Sequence, residues 1–423
     1  MTKLTTEMET AFATAYEAAR DKGASDLRAQ AWEAFTQRGL PNRRVEAWHY
    51  TDLKAALDAP APVAQGGVAP SLPRAHDAIR LSIFNGVFSS VHSDLAKLPP
   101  GVSALSLRDA LAKGDAEIMA ALASADIGAD DAALSLNAAL MQDGVVLRVA
   151  PGVTITRPIE LCTATSAGQA SFTRTLVLLG EGASATLIES ASVNGQENHA
   201  TVLRLGARAT LTLATQIGAE AGDAVRVLSL LAHLAQGATL NAAALIEASG
   251  LTRRQIFARL DGDGAHVSFH GATLGRGRQH ADTTLVVDHA QPHGASRERF
   301  RYVLDEQSTG VFQGKIIVRP GAQKTDGAMQ SKALLLSDGA TMNNKPELEI
   351  FADDVQCSHG ATCGRLDGDQ LFYLMARGLP RAEAEAMLIE AFANEAFADF
   401  EDEALRGFFA ARISQWLARR VAA

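Results

Sequence analysis

Two cysteines and a histidine fall together in the segment ADDVQCSHGATCG, residues 352–364: Cys357, His359 and Cys363. Thiolate and imidazole are ligands suited to zinc, iron and iron-sulfur clusters, so this spacing raises metal chemistry first. If the segment is extended, period-two alternation sends Val355, Cys357, His359, Ala361 and Cys363 to one face. Asp354, Gln356, Ser358 and Thr362 then face the other way. Three donors are one short of a closed tetrahedral set, so a complete site needs a ligand from elsewhere, including another chain. The same face carries Val355 and Ala361, and free cysteine is among the most buried residue types, so core packing competes with the metal reading.

Other chemistries are absent or misspelled. GVFQGKII, residues 310–317, has a Gly-Lys pair, but it is one residue short of a phosphate-binding loop and Lys315 precedes Ile rather than Ser or Thr. Gly180, Gly182 and Ala185 fit a dinucleotide fingerprint, yet strand-type residues follow where a helix N-terminus must stand. Neither G-x-S-x-G nor H-E-x-x-H occurs. His266, His270, His280, His289 and His293 cluster loosely without adjacent cysteines, which suits surface and strand-filling roles better than zinc.

The elements that must carry the Cys-His segment are legible in the texture of the chain. Residues 4–40 have alanines at helical spacing before GLPNRR breaks the pattern, and residues 80–130 mix short strands with helices. From GVVLRVAPGVTI to the Cys-His segment the periodicity is that of strands. Glycine turns recur there at Gly152, Gly182, Gly206, Gly237, Gly264 and Gly294, each with an alternating strand beside it. One turn-and-strand unit every 24 to 31 residues predicts a β-solenoid, a right-handed β-helix whose stacked coils share one interior. A β-sandwich is the weaker alternative, because few two-residue hairpin turns are present. Beyond Gly364 amphipathic helices follow: one with Leu371, Leu374 and Met375, one with Met387, Leu388, Ala391 and Phe392, and a third over EALRGFFAARISQWLARR. Their apolar stripes must lie against something, either the end of the solenoid as a cap or a partner. The division expected is an N-terminal helical and mixed domain over 1–130, a β-helix core over 131–365 and a C-terminal helical domain over 366–423.

Composition narrows the function classes. A chain of 423 residues, 47% hydrophobic, has material for a large core. A net charge of -9 offers no footprint for nucleic acid. No stretch approaches a membrane span, the N-terminus lacks an unbroken apolar signal segment, and three scattered cysteines cannot make a disulfide framework, so a cytoplasmic protein is expected.

The run from Gly310 to Leu379 contains AQKTD, LLLS, KPELEIFADDV, CSHGAT and LFYLMARG in order, and GLPNRRVEAWHYTDL lies near the N-terminus. Together these resemble the SufB/SufD family of iron-sulfur cluster assembly scaffolds. CSHGAT favours the SufD side, since the SufB equivalent is closer to EHEAT; Cys363 departs from the aliphatic residue usual in relatives. The resemblance implies a non-enzymatic scaffold with a β-helix between helical domains. It implies pairing with a SufB-like subunit through the β-helix, and with a SufC-like ABC ATPase through the C-terminal helices around Tyr373, Leu374, Arg377, Gly378, Met387 and Leu388. It also implies that His359, with Cys357 as a second candidate, serves a nascent Fe-S cluster at the SufB/SufD interface, no cofactor being held by the isolated chain, which could self-associate as a homodimer. Cys363 is then expected to be a packing residue. Competing classes are a polysaccharide-active enzyme on a solenoid, against which stands the lack of a clustered carboxylate pair, and a stand-alone metal-binding protein.

Overall fold

In-register parallel pairing dominates the architecture. In the computed structural model, which describes residues 7–58, 61–67, 74, 76–123, 127–218 and 223–421, the strands fall into a ten-stranded and a nine-stranded sheet. From Val145–Val149 onward, strands consecutive in the sequence alternate between the two, so each coil adds one strand to each. His280 pairs with Thr309 and Thr309 with Thr341, which sets the repeat at 29 and then 32 residues. The result is a mainly β chain, 42% strand and 26% helix, built on a solenoid of about 7 turns as the glycine spacing predicts. Parallel neighbours rule out the hairpins of a sandwich.

Strict register stacks like on like. Leu147, Val177, Leu203, Ala232, Ala258, Val287, Ile316 and Leu348 form one inward column of the nine-stranded sheet. It meets Leu187, Leu213, Ala242, Phe269 and Met329 from the other sheet in a continuous core. The recurring glycines mark one turn per coil: Gly152, Gly182, Gly237 and Gly264 are left-handed, with φ between +62° and +71°. In the turns of Gly206 and Gly294 the left-handed residues are instead Arg208 and His293.

Helices dress the outer faces. Met8, Phe12, Phe35 and Trp48 pack on Phe172, Val227 and Leu251 outside the nine-stranded sheet. The GLPNRRVEAWHYTDL segment is fixed there by polar groups. Trp48 Nε1 donates to Asp131, the Arg253 guanidinium lies 3.7 Å from the Trp48 ring, and both Arg253 and Thr51 bond Asp282. The C-terminal helix Glu403–Val421 buries Leu405, Phe409, Ile413, Trp416 and Leu417 with Ile389, Ala393 and Phe397 against Ala243, Leu245, Ala272, Leu274 and Val303 of the ten-stranded sheet. Of the two coverings the sequence leaves open, an end cap or a partner, the end cap is not what these stripes meet; they lie along a sheet face. The stripe of the helix Arg381–Asn394 is also different, with Ala384, Ile389 and Ala393 buried and Met387 exposed.

The two ends of the solenoid differ. At the N-terminal end Val87–Ser89 pairs antiparallel with Ile79–Phe84 and Val102–Ser106 with Val145–Val149, closing the first coil, with Phe88, Leu95, Leu98 and Val102 packed against the core. At the other end Thr341–Ile350 and Gln356–Gly364 are the terminal strands of their sheets, each with one neighbour.

Candidate functional site

The Cys-His segment is the last strand of the ten-stranded sheet. Gln356–Gly364 runs unbroken through Gly360, paired in register with Asp326–Leu334, so the alternation expected from the sequence is realised. Cys357 stands over Gly327, Ser296 and Val267; His359 stands over Met329, Glu298 and Phe269. Both columns face the solenoid interior. No coil follows, so residues whose column-mates are core residues are themselves uncovered. Cys357 is half-buried and packs on the core, whereas His359 and Cys363 are exposed. Cys363 is thus not the buried packing residue expected, because its upper neighbour does not exist in this chain.

Burial raises the Cys357 thiol pKa, the charges of Asp326 and Glu298 add to the rise, and a hydrogen bond from the Gly327 N–H opposes it. Partial burial raises that of Cys363. Along an extended strand the Cα atoms of Cys357 and His359 are roughly 6.7 Å apart, so the two side chains stand as neighbouring posts on one rim. Among the described residues no three His, Cys, Asp or Glu side chains converge in metal-binding geometry.

The rim has a chemically distinct edge. In a parallel ladder successive residues bond alternately to the two neighbouring strands. The Gln356 N–H bonds Thr325, so even-numbered residues serve the preceding strand, and the N–H groups of Cys357, His359, Ala361 and Cys363 point to the open side. In the companion strand the Thr341 N–H bonds Ser308, so even-numbered positions point outward there. Pro346 occupies one of these and has no N–H to offer, and Lys345, Glu347 and Glu349 add charge. One edge is guarded; the Cys-His edge carries neither proline nor charged side chain.

After the last strand the helix Gly368–Ala376 presents Phe372, Tyr373 and Met375 to solvent, and the next helix presents Met387; they are 73%, 56%, 40% and 46% exposed. Leu374 and Leu388 are half-buried. Arg377 lies over the Tyr373 ring at 4.9 Å and donates to its hydroxyl at 2.7 Å, and Gly378, at φ +94°, turns the chain between the helices. Phe372 is the most exposed of the four aromatic and apolar residues and was not singled out by periodicity, because it lies off the Leu371 stripe. Ile350 and Phe351, 41% and 58% exposed, stand separately at the end of the guarded strand.

A groove of about 880 Å³ has two carboxylates in its lining, Glu117 and Asp261. They are occupied: Glu117 pairs with Arg148 at 2.9 Å, and Asp261 with His233 at 2.8 Å and Arg259 at 2.9 Å.

Two family profiles cover most of the chain: the SufBD protein N-terminal region over residues 74–161, and the SUF system FeS cluster assembly SufBD core domain over residues 162–392. An iron-sulfur cluster assembly SufBD family protein of Synechocystis sp. is 31% identical over 77% of this chain and 74% of that protein. The iron-sulfur cluster assembly protein SufD of Escherichia coli is 33% identical over 56% of this chain and 57% of its own length. SufD of Bacillus subtilis is 28% identical over 61% and 60% respectively, so these two matches span somewhat under two thirds of each SufD.

Proposed function

The chain belongs to the SufBD family of SUF-system iron-sulfur cluster assembly proteins, and from that membership we propose that it is a SufD-like scaffold subunit that joins a SufB-like subunit and a SufC-like ATPase in a cytoplasmic complex. The observation that carries this reading is the asymmetry of the solenoid: one end closed by antiparallel strands, the other left as an uncovered coil with an unguarded strand edge. An unguarded edge is a liability for a protein that works alone and an asset for one that receives a strand. A SufB-like β-helix docked there covers the coil and brings its own side chains over Cys357 and His359. The nascent cluster is the cargo, held between the two subunits, with His359 as ligand or proton acceptor and Cys357 as the second donor. The donor set is left incomplete by this chain, and soft sulfur and imidazole ligands suit iron.

The patch of Phe372, Tyr373, Met375 and Met387 is the docking surface for the ATPase. Helix-in-groove recognition uses apolar anchors of this kind, and Ile389 and Ala393 of the helix that carries Met387 are committed to the sheet. This chain contributes no phosphate-binding loop: Lys315, the residue of the misspelled motif, is a half-buried strand residue paired with Glu349 at 2.8 Å. Its role is structural support and cargo binding, not catalysis. All three cysteines are free, consistent with a reducing compartment.

Co-expression with tagged SufB-like and SufC-like subunits tests the proposal. A complex containing all three chains is expected; recovery of this chain alone, with neither partner, contradicts it.

A further inference from the structure

Three helices roof part of the outer face of the nine-stranded sheet and leave a pocket between themselves and the strands. Ser25–Arg38, Ala116–Ala123 and Ala132–Leu140 supply its walls with Leu27, Ala31, Met119, Leu122 and Leu134, and Leu231 of the sheet closes the floor. The pocket has a volume of about 530 Å³ and is open to solvent on one side. Small-molecule sites run to roughly 300–1,000 Å³ and are mostly apolar, with a few polar groups that fix the ligand. This one lies well away from the open coil in the strand order.

One charged side chain interrupts the apolar lining at its base. Arg174, on the strand Ala170–Leu179, is 4% exposed and borders the pocket from the sheet. Its Nε donates to Asn137 Oδ1 at 2.9 Å; among the described residues no carboxylate pairs with it and its two terminal nitrogens make no hydrogen bond. The charge that bears on it is a second guanidinium. Arg28, 1% exposed, donates to the Gly23 and Ala139 carbonyls at 2.9 and 3.1 Å, and among the described residues it too lacks an acid. Burial lowers the Arg174 pKa to about 10 and the neighbouring Arg28 adds to the fall, so the group stays charged at neutral pH. Asp26, the one carboxylate among the described lining residues, is exposed in the first turn of its helix and does not pair with Arg174. A buried guanidinium with unmet donors and no counter-charge is unfavourable until an anionic acceptor reaches it.

We propose that this pocket binds an amphipathic monoanion, an apolar body of the fatty-acid kind bearing one carboxylate, with the carboxylate on Arg174 and the body among the three helices. With Nε committed to Asn137, the two terminal nitrogens remain as donors, and such a pair can grip both oxygens of one carboxylate. Leu27, Met119, Leu122 and Leu134 take the apolar body out of water. A neutral chain of the same length leaves the guanidinium unmet, and a small anion without a body gains nothing from the walls. A cationic head is repelled by Arg174 and Arg28 alike. A polyanion finds a single cation with donors to offer, since those of Arg28 go to backbone carbonyls.

The test is calorimetric titration of the full chain at neutral pH with decanoate, 1-decanol, decyltrimethylammonium and acetate, each kept dissolved and below its micelle-forming concentration. Decanoate is expected to bind saturably at one site, and decanol about tenfold or more weakly, the scale of a charge-assisted hydrogen bond in a buried place. Acetate and decyltrimethylammonium are expected to show no saturable binding. Arg174→Gln is expected to bring decanoate down to the affinity of decanol. Should that variant fail to fold, Ala31→Phe, which fills the pocket from a half-buried position and keeps Arg174, is expected to abolish binding of both. No saturable decanoate binding to the native chain, equal binding of decanoate and either the neutral or the cationic analogue, or native affinity in a folded variant overturns the proposal.

Discussion

His359 stands at the rim with its ring in solvent, and that placement separates its chemistry from its packing. An exposed side chain removed from a strand changes stability by roughly 0.5 kcal/mol or less. His359→Ala is therefore expected to fold normally and to assemble with its partners, yet to lower cluster formation about ten- to hundredfold, as loss of a metal-supporting group does elsewhere. Cys357 is half-buried and packs on the core, so Cys357→Ala is expected to cost both cluster yield and on the order of 1 kcal/mol of stability. Cluster yield measured with the thermal midpoint distinguishes the two variants. Deeper in the same column Glu298 is 2% exposed. Burial pushes its pKa up from 4.5 to about 8. Between those values the folded chain keeps a proton that the unfolded chain has lost, so the contribution to stability is full below about pH 4.5 and is lost as pH rises through about 8. Glu298→Gln is expected to match the native chain near pH 4.5 and to be more stable by on the order of 1–4 kcal/mol at pH 8, read from denaturant midpoints. His289, whose pKa burial lowers from 6.5 to about 4, acts in the opposite sense on the acid side: its contribution is lost as pH falls through that window.

At the scale of elements the terminal strand makes a directional claim. The N–H of Ala361 points to the open side and serves no bond to the preceding strand, the same situation that Pro346 occupies in the companion strand. Ala361→Pro is expected to leave this chain folded, since no ladder bond is lost, and to weaken SufB-like binding by at least tenfold, because the incoming strand loses a donor and meets a ring. Binding measured by surface immobilisation checks it, and Ala361→Val is the control for bulk. On the helical side Tyr373→Asp and Met387→Asp are expected to weaken SufC-like binding by roughly 1–3 kcal/mol each without unfolding, both side chains being about half exposed. Deleting the helices is the poorer experiment, since it uncovers Ala243, Leu245, Ala272 and Leu274. The strand itself was legible in the sequence because alternation has a period of two and glycine spacing marks the coils. The face on which the C-terminal helices lie was not, because an amphipathic stripe states that a surface is buried and is silent about which surface covers it. Met387 and Leu388, adjacent on a helix, point about 100° apart, so one could be exposed while the other turned inward.

For the whole molecule the informative feature is an unfinished solenoid. Every inner coil is covered on both sides; the last, which carries Cys357 and His359, is covered on one. The sequence reading placed these residues on one face and counted one ligand too few, which left core packing and a shared site in balance. Position in the stack separates them: in any earlier coil the same alternation makes core, as Val267, Phe269 and Met329 do, and only the absence of a following coil turns it into a surface. The N-terminal segment is tied to this same end, because Glu46 pairs with Lys345 of the guarded strand. The most direct measurement is the iron and sulfide bound per complex after anaerobic reconstitution of this chain with SufB-like and SufC-like subunits, compared between native and His359→Ala chains in complexes of equal stoichiometry. The account requires a cluster in the native complex and a loss of about tenfold or more in the variant; an undiminished cluster on the variant complex contradicts it.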